Sequence, residues 1–119
     1  MGGKVVAIDQ AQQTLTMSYV MTLDFCHSGN VVQGGFVTGM LDSAMAHAVF
    51  GSLGFICPLP SLEIKVSFLA PSFAGNFTAQ GRVIRAGKSI VFLEGTLYDE
   101  NGDINAIATS TAKIIRPRT

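Results

Sequence analysis

Charge is scarce in this sequence. Of 119 residues only 13% are Asp, Glu, Lys or Arg, about half of the roughly 25% usual for a soluble domain, and acidic and basic residues cancel to a formal net charge of zero. The few basic residues form no run that could neutralise a phosphate backbone, which argues against nucleic acid as a partner. Cysteine and histidine are sparser still. Cys26 and Cys57 show neither metal-ligand spacing nor a disulfide-rich pattern, and His27 and His47 are the only histidines, so no metal site is expected and the thiols read as free and buried in a reducing compartment. Targeting signals are missing too. No signal-peptide apolar core follows Met1-Gly2-Gly3-Lys4, and Val6 stands where a myristoylation motif needs Ser or Thr, so a cytoplasmic protein is expected. Between residues 31 and 59 the chain is apolar but broken by Gln33, Asp42, His47 and several glycines, which argues against a membrane span.

Apolar side chains, by contrast, make up 48% of the chain. A chain of this length forms one domain, residues 1–119, with a real core. It is too short to build a deep substrate pocket alone. The surplus of apolar surface therefore predicts burial between subunits, in a homodimer at least and in a homotetramer of two dimers as the fuller expectation.

Hydrophobic periodicity supplies the elements. Residues 4–9 and 14–22 read as two extended arms joined by the polar stretch Gln10-Ala11-Gln12-Gln13, followed by a loop over 24–30. From 34 to 50 the apolar residues Phe36, Val37, Met40, Leu41, Ala44, Met45, Ala48 and Val49 recur at helical steps, with further apolar residues on the other faces, which predicts a buried helix. Gly39 in its middle costs about 1 kcal/mol relative to Ala and suggests close approach of a neighbouring element. After a connection over 51–60, Ser61-Leu62-Glu63-Ile64-Lys65-Val66-Ser67-Phe68 alternates polar and apolar without a fault, as a strand with one face on the core does. Three more strands are expected at 76–85, 89–98 and 104–115, with turns at Ala86-Gly87-Lys88 and at 99–103. The economical arrangement is α+β, with one antiparallel sheet wrapped round a central helix.

Within that pattern, Gln33-Gly34-Gly35 is followed nine residues after the glutamine by Asp42. An aspartate inside so apolar an element costs several kcal/mol to bury unless something pairs with it or uses it. The glycines stand where the helix begins, so their free N–H groups and the positive end of the helix dipole are placed to polarise a carbonyl oxygen. An oxyanion donor and a carboxylate together suggest acyl transfer.

The segment from Phe25-Cys26-His27-Ser28-Gly29-Asn30 through Gln33-Gly34-Gly35-Phe36 to Met40-Leu41-Asp42-Ser43-Ala44-Met45, with Ser61 ten residues before Pro71 and Gly87-Lys88 in a hairpin, resembles the PaaI-type acyl-CoA thioesterases of the hotdog fold. The resemblance covers nearly the whole chain and implies the following roles. Asp42 is the general base that activates water or the nucleophile that attacks the thioester. Gly34 offers its N–H to the thioester carbonyl, Gln33 helps hold the helix start and the thioester, and Ser61 hydrogen-bonds near the acid and the water. Arg85, Gly87, Lys88 and Ser89 contact the pantetheine arm and phosphates of coenzyme A, which is part of the substrate, so that no separate cofactor is implied. The acid comes from one subunit and the oxyanion donor from its partner.

One position departs from the family pattern. The family's water-orienting Asn, six residues before Gln33, is replaced by His27, which either takes over that hydrogen bond, acts as an additional base, or leaves the task to Asn30. The N-terminal helix that many relatives carry before the first strand is missing or very short. Each assignment has a plainer counterpart. Asp42 could cap a neighbouring backbone N–H, Gly34 and Gly35 could serve close packing, Gln33 and Ser61 could be satisfied polar core residues, and the hairpin could be a solvated glycine turn. His47 reads as an interface or surface histidine. Phe25, Met40, Met45 and Phe68 are candidates for lining an acyl pocket, although such residue types are core formers first. Hydrolysis of an acyl-CoA thioester to free acid and coenzyme A is the leading reading; a non-catalytic acyl-CoA binder and a hotdog enoyl-CoA hydratase or dehydratase are the alternatives.

Overall fold

The computed structural model describes residues 2–27, 29 and 31–116. Its elements run β1 (Lys4–Asp9), β2 (Thr14–Met21), a 3-10 turn (Leu23–Phe25), β3 (Cys26–His27), β4 (Val31–Val32), α1 (Gly34–Leu53), β5 (Ser61–Phe68), β6 (Gly75–Ala86), β7 (Ile90–Tyr98) and β8 (Ile104–Lys113). Six strands form one antiparallel sheet in the order β1-β2-β6-β7-β8-β5, and β3 and β4 pair separately. The expected architecture is the observed one. The stretch 10–13 is a hairpin turn with Gln13 in the left-handed region (φ 56°), and the expected loop over 24–30 holds the 3-10 turn and the short β3–β4 ladder.

The helix runs three residues beyond its expected end and stops at Gly54, whose φ of 81° a side chain would oppose and whose N–H donates to the Phe50 carbonyl. It buries Val37, Met40, Leu41, Ala44, Met45, Ala48 and Val49 against the inward residues of β2, β6, β7 and β8. The closeness of the approach is set from the sheet. Gly81 and Gly95 sit opposite each other on β6 and β7; a Cβ on Gly81 would collide with the Ala44 carbonyl, and one on Gly95 would stand 3.2 Å from Met45 Cγ and 3.3 Å from Leu41 Cδ2. Filling either notch would push α1 off the sheet, and overpacking of this kind typically costs about 1–3 kcal/mol.

One expectation is corrected here. Asp42 lies on the apolar helix but is not buried there; in the single chain it is exposed. The sheet covers only one side of α1, and the other side carries Gly35, Thr38, Asp42 and Ala46, none of them fully buried.

The strand β5 occupies a sheet edge, pairing only with β8. Its inner residues Ile64, Val66 and Phe68 oppose Ser110, Ala108 and Ala106, but the helix does not cover them fully, and Phe68 and Leu62 are exposed. A long, half-apolar, uncovered edge is an open template for another strand.

Candidate active site

Asp42 and Ser61 meet. The Ser61 Oγ–H donates to Asp42 Oδ1 at 3.4 Å, a long bond between two exposed side chains. Strict alternation would have put Ser61 on the outer face with Glu63, Lys65 and Ser67, away from the helix. The ladder slips between Ser61 and Glu63, so that Ser61 opposes Ala112 and Glu63 opposes Thr111, with Leu62 as the extra residue. Because directly opposed residues share a face, Ser61 turns inward with the buried Ala112, and the bulge re-aims it at the helix.

The oxyanion candidates occupy the other end of the same helical stretch. Gln33 is the N-cap residue, with φ −62° and ψ 140° and no side-chain capping bond. The first turn closes with Phe36 and Val37 donating to the Gln33 carbonyl at 3.0 and 3.2 Å, which leaves the Gly34 and Gly35 N–H groups ahead of those bonds at the positive end of the dipole. Phe68 lies over this start: a Cβ on Gly34 would stand 3.4 Å from Phe68 Cζ. A cleft of about 370 Å³ opens beside it, lined by Val31, Val32, Gly34, Val37, Phe68 and the segment Leu69 to Ser72. A second cleft of about 270 Å³ lies on the outer face of the sheet among Lys65, Ser67, Glu94 and Thr96, on the side away from Asp42 and Gly34.

Asp42 and Gly34 are themselves two helical turns apart, about 12 Å at 1.5 Å per residue. No single carbonyl can touch both within one chain. Each has a neighbour at one end of β5, Asp42 at Ser61 and Gly34 at Phe68.

The hairpin residues Arg85, Gly87, Lys88 and Ser89 are exposed at the β6–β7 turn, which the Gly87 N–H closes by donating to the Ile90 carbonyl at 2.8 Å. The chain after β8 is stitched to this turn: Ile114 N–H donates to the Ser89 carbonyl at 2.6 Å, and Arg116 Nε–H donates to the Lys88 carbonyl at 2.9 Å. Lys113 and Ile115 N–H groups donate to the carbonyls of Pro60 and Pro58, just ahead of Ser61. Arg85, Lys88, Lys113 and Arg116 thus gather at the Ser61 end of the molecule. Arg82 is already engaged with Glu94 at 2.5 Å. Sequence reasoning missed Arg116, because only the docking of the tail brings it to the turn.

The His27 backbone lies in β3; its side chain, like Asn30, is outside the described residues. His47 turns back along its own helix, with Nδ1 2.8 Å from the Ser43 carbonyl oxygen, and stacks edge-on to Phe50. Of the pocket candidates, Met40 and Met45 are core residues, Phe25 packs edge-to-face on Phe36 at 4.9 Å, and Phe68 alone lines the cleft. Beneath the helix the Tyr19 hydroxyl and the Ser43 hydroxyl both reach the Met17 sulfur, at 3.6 and 3.7 Å. Burial pushes the Tyr19 hydroxyl above its ordinary value of 10.0, against an opposing hydrogen bond with Ser43. Among the described residues no group of three or more His, Cys, Asp or Glu is arranged to hold a metal ion, and no helix is long and apolar enough to cross a membrane.

Residues 29–106 match the model of the Thioesterase superfamily. A protein of Ralstonia eutropha JMP134 described as an inferred thioesterase and phenylacetic acid degradation-related protein superposes with a TM-score of 0.87 at 31% identity, over 94% of this chain and 84% of that one. A Saccharolobus solfataricus protein named for an inferred esterase activity is 25% identical over 115 residues, which are 97% of this chain and 80% of the relative. A Streptococcus mutans UA159 protein solved with acetyl-CoA shares the fold, with a TM-score of 0.86 at 13% identity over 100% of this chain and 93% of that one. Six antiparallel strands around one long helix are the hotdog fold, and this chain belongs to the Thioesterase superfamily as a PaaI-like thioester hydrolase.

Proposed function

We propose that the protein hydrolyses acyl-CoA thioesters in a homodimer whose sites are shared between subunits. The observation that carries this reading is the placement of Asp42 and Gly34 at opposite ends of an uncovered edge strand, about 12 Å apart along the helix. Antiparallel pairing of β5 with its twin, about a two-fold axis near the middle of the strand, sets the Ser61 end of one copy beside the Phe68 end of the other. Asp42 of one subunit then faces Gly34 of its partner. The same pairing satisfies the open edge and covers Leu62. Two such dimers joined into a homotetramer accommodate the remaining exposed apolar side chains.

In this arrangement the thioester carbonyl oxygen lies against the Gly34 N–H, and Gln33 steadies the helix start. Asp42, exposed and held by Ser61, takes a proton from water as the water oxygen bonds to the carbonyl carbon. The π electrons move onto oxygen, where the N–H and the helix dipole hold the developing charge. Collapse breaks the C–S bond, and the thiolate of coenzyme A leaves with the proton. Arg85, Lys88 and Ser89, with Gly87 letting the backbone approach, hold the phosphates of the carrier.

A pair of inactive variants tests the shared site. Gly34→Pro removes the donor N–H at the first helical position, where proline is tolerated, and the extended backbone of Gln33 is compatible with a following proline. Asp42→Asn removes the base. Mixed after reversible dissociation, the two inactive proteins should regain about a quarter of wild-type activity, because half the dimers carry one intact site of two. Recovery of nothing, with heterodimers verified, overturns the shared site. A wild-type protein that binds acyl-CoA but releases no thiol is a binder instead.

A further inference from the structure

The edges of the cleft beside Gly34 differ sharply in freedom. Its floor is fixed by the buried Asn105, whose carbonyl oxygen accepts from the N–H groups of Leu69 and Ala70 at 2.8 and 3.1 Å and whose Nδ2 donates to Ser72 Oγ at 3.2 Å. The Ser72 carbonyl in turn accepts from Val32 N–H at 2.6 Å, tying the floor to β4. The opposite wall is the first turn of α1, where Val37 is almost wholly buried. Neither can yield without disturbing the core. The mouth is formed by Phe68, whose side chain is 57% exposed and whose ring edge points at Gly34. Phe68 and the equally exposed Leu69 are the large cleft side chains free to set the aperture, and of the two Phe68 is the one against Gly34.

The chemistry of the cleft says what would enter it. Val31, Val32, Val37, Phe68, Leu69 and Pro71 make it apolar, whereas the cations Arg85, Lys88, Lys113 and Arg116 are at the other end of β5. An acyl-CoA is anionic at one end and apolar at the other, with the thioester between them. When β5 pairs with its twin, the cations of one subunit, the Asp42–Gly34 gap and the apolar cleft of the partner fall in that same order.

Building on the thioesterase reading, we propose that the cleft takes the acyl group and that Phe68 is its specificity-determining residue, limiting chain length at the point where the acyl chain leaves Gly34. A cavity of about 150 Å³ holds a benzene ring, so a cleft of about 370 Å³ suits an acyl group of medium length, and the ring at its mouth restricts anything longer.

The test is a kcat/KM profile over straight-chain acyl-CoA thioesters from acetyl to tetradecanoyl, for the wild-type protein, Phe68→Ala, Phe68→Leu and Val20→Ala, the last an exposed residue of β2 that does not line the cleft. Each methylene in an apolar pocket changes kcat/KM by about tenfold or more. Phe68→Ala should therefore move the optimum at least two carbons longer and raise the ratio of tetradecanoyl to butanoyl kcat/KM by at least about tenfold, Phe68→Leu should shift it part of the way, and Val20→Ala should not shift it. Should Phe68→Ala fail to fold, Phe68→Leu, which keeps an apolar cover on the helix start, decides the matter. An active Phe68 variant with the wild-type profile overturns the role of Phe68 and leaves the thioesterase reading intact. A wild-type protein that cleaves no member of the panel overturns that reading and this inference with it.

Discussion

Ser61 reaches Asp42 at 3.4 Å because β5 carries one residue more than its partner strand allows, the extra being Leu62. The bulge sets the face on which Ser61 lies, and the Ser61 hydroxyl makes the contact. Deleting Leu62 restores strict pairing but leaves position 61 opposite Ala112 on the inner face, so this deletion should leave kcat nearly unchanged, whereas Ser61→Ala should lower it. Removing a hydroxyl that only orients the acid and water should cost about 10-fold, well short of the loss of the acid itself. Comparing the kinetics of the two variants checks this; a Ser61→Ala protein that keeps full activity would separate Ser61 from the reaction.

The unequal legibility of these features has physical causes. Helix and strand periods follow from side-chain burial along each element, so β1, β5 and the start of α1 stand in the sequence where they stand in the fold. The bulge is invisible because Ser61 to Phe68 alternates perfectly, and only the pairing with β8 shows the slip. The exposure of Asp42 could not be read from hydropathy, which reports that a helix is apolar but not that a six-stranded sheet covers one side of it. Met40, Met45 and Phe68 are alike as residue types; which of them meets a cleft depends on where β5 ends over Gly34. Arg116 joins the hairpin through a single bond to a backbone carbonyl, which leaves no mark on spacing.

The cationic end of the molecule should act on binding. Lys88→Ala, Arg85→Ala and Arg116→Ala remove contacts remote from the thioester, which contribute equally to ground and transition states, so each should raise KM with kcat nearly unchanged. Arg116→Lys should not restore it, because an ammonium group lacks the planar fork that can hold the Lys88 carbonyl and a phosphate together. Saturation kinetics on one good substrate, repeated at higher ionic strength, measure this. An unchanged KM in all three would make the hairpin and tail purely structural.

Tyr19 gives the fold an alkaline limit. Burial raises its hydroxyl above the ordinary 10.0, so in the window just above that value the unfolded chain has lost the proton while the folded chain keeps it. Unfolding then releases a proton, and stability falls as pH climbs; below pH 10 the contribution is whole. Urea midpoints at about pH 9 and pH 11 should therefore drop more for the wild-type protein than for Tyr19→Phe, which cannot ionise. Equal drops would mean that the ring is hydrated in the folded state.

Asp42→Asn tests the chemistry most directly. Asparagine keeps the shape of the side chain and can still accept a hydrogen bond from Ser61, but it cannot take a proton from water, so kcat on any accepted thioester should fall at least about 10²-fold. Stability should hardly move. In the single chain Asp42 is exposed and its hydrogen-bond partner among the described residues is the Ser61 hydroxyl at 3.4 Å, and exposed substitutions of this kind usually stay within about 0.5 kcal/mol. A structural acid paired to a buried group behaves in the opposite way, losing roughly 3–5 kcal/mol when the pair is broken while turnover survives. Thermal melting and steady-state kinetics on the same preparation distinguish the two. Wild-type turnover in the Asn variant would end the assignment of Asp42 as the catalytic carboxylate, and a much lower melting temperature with activity retained would make it a structural acid.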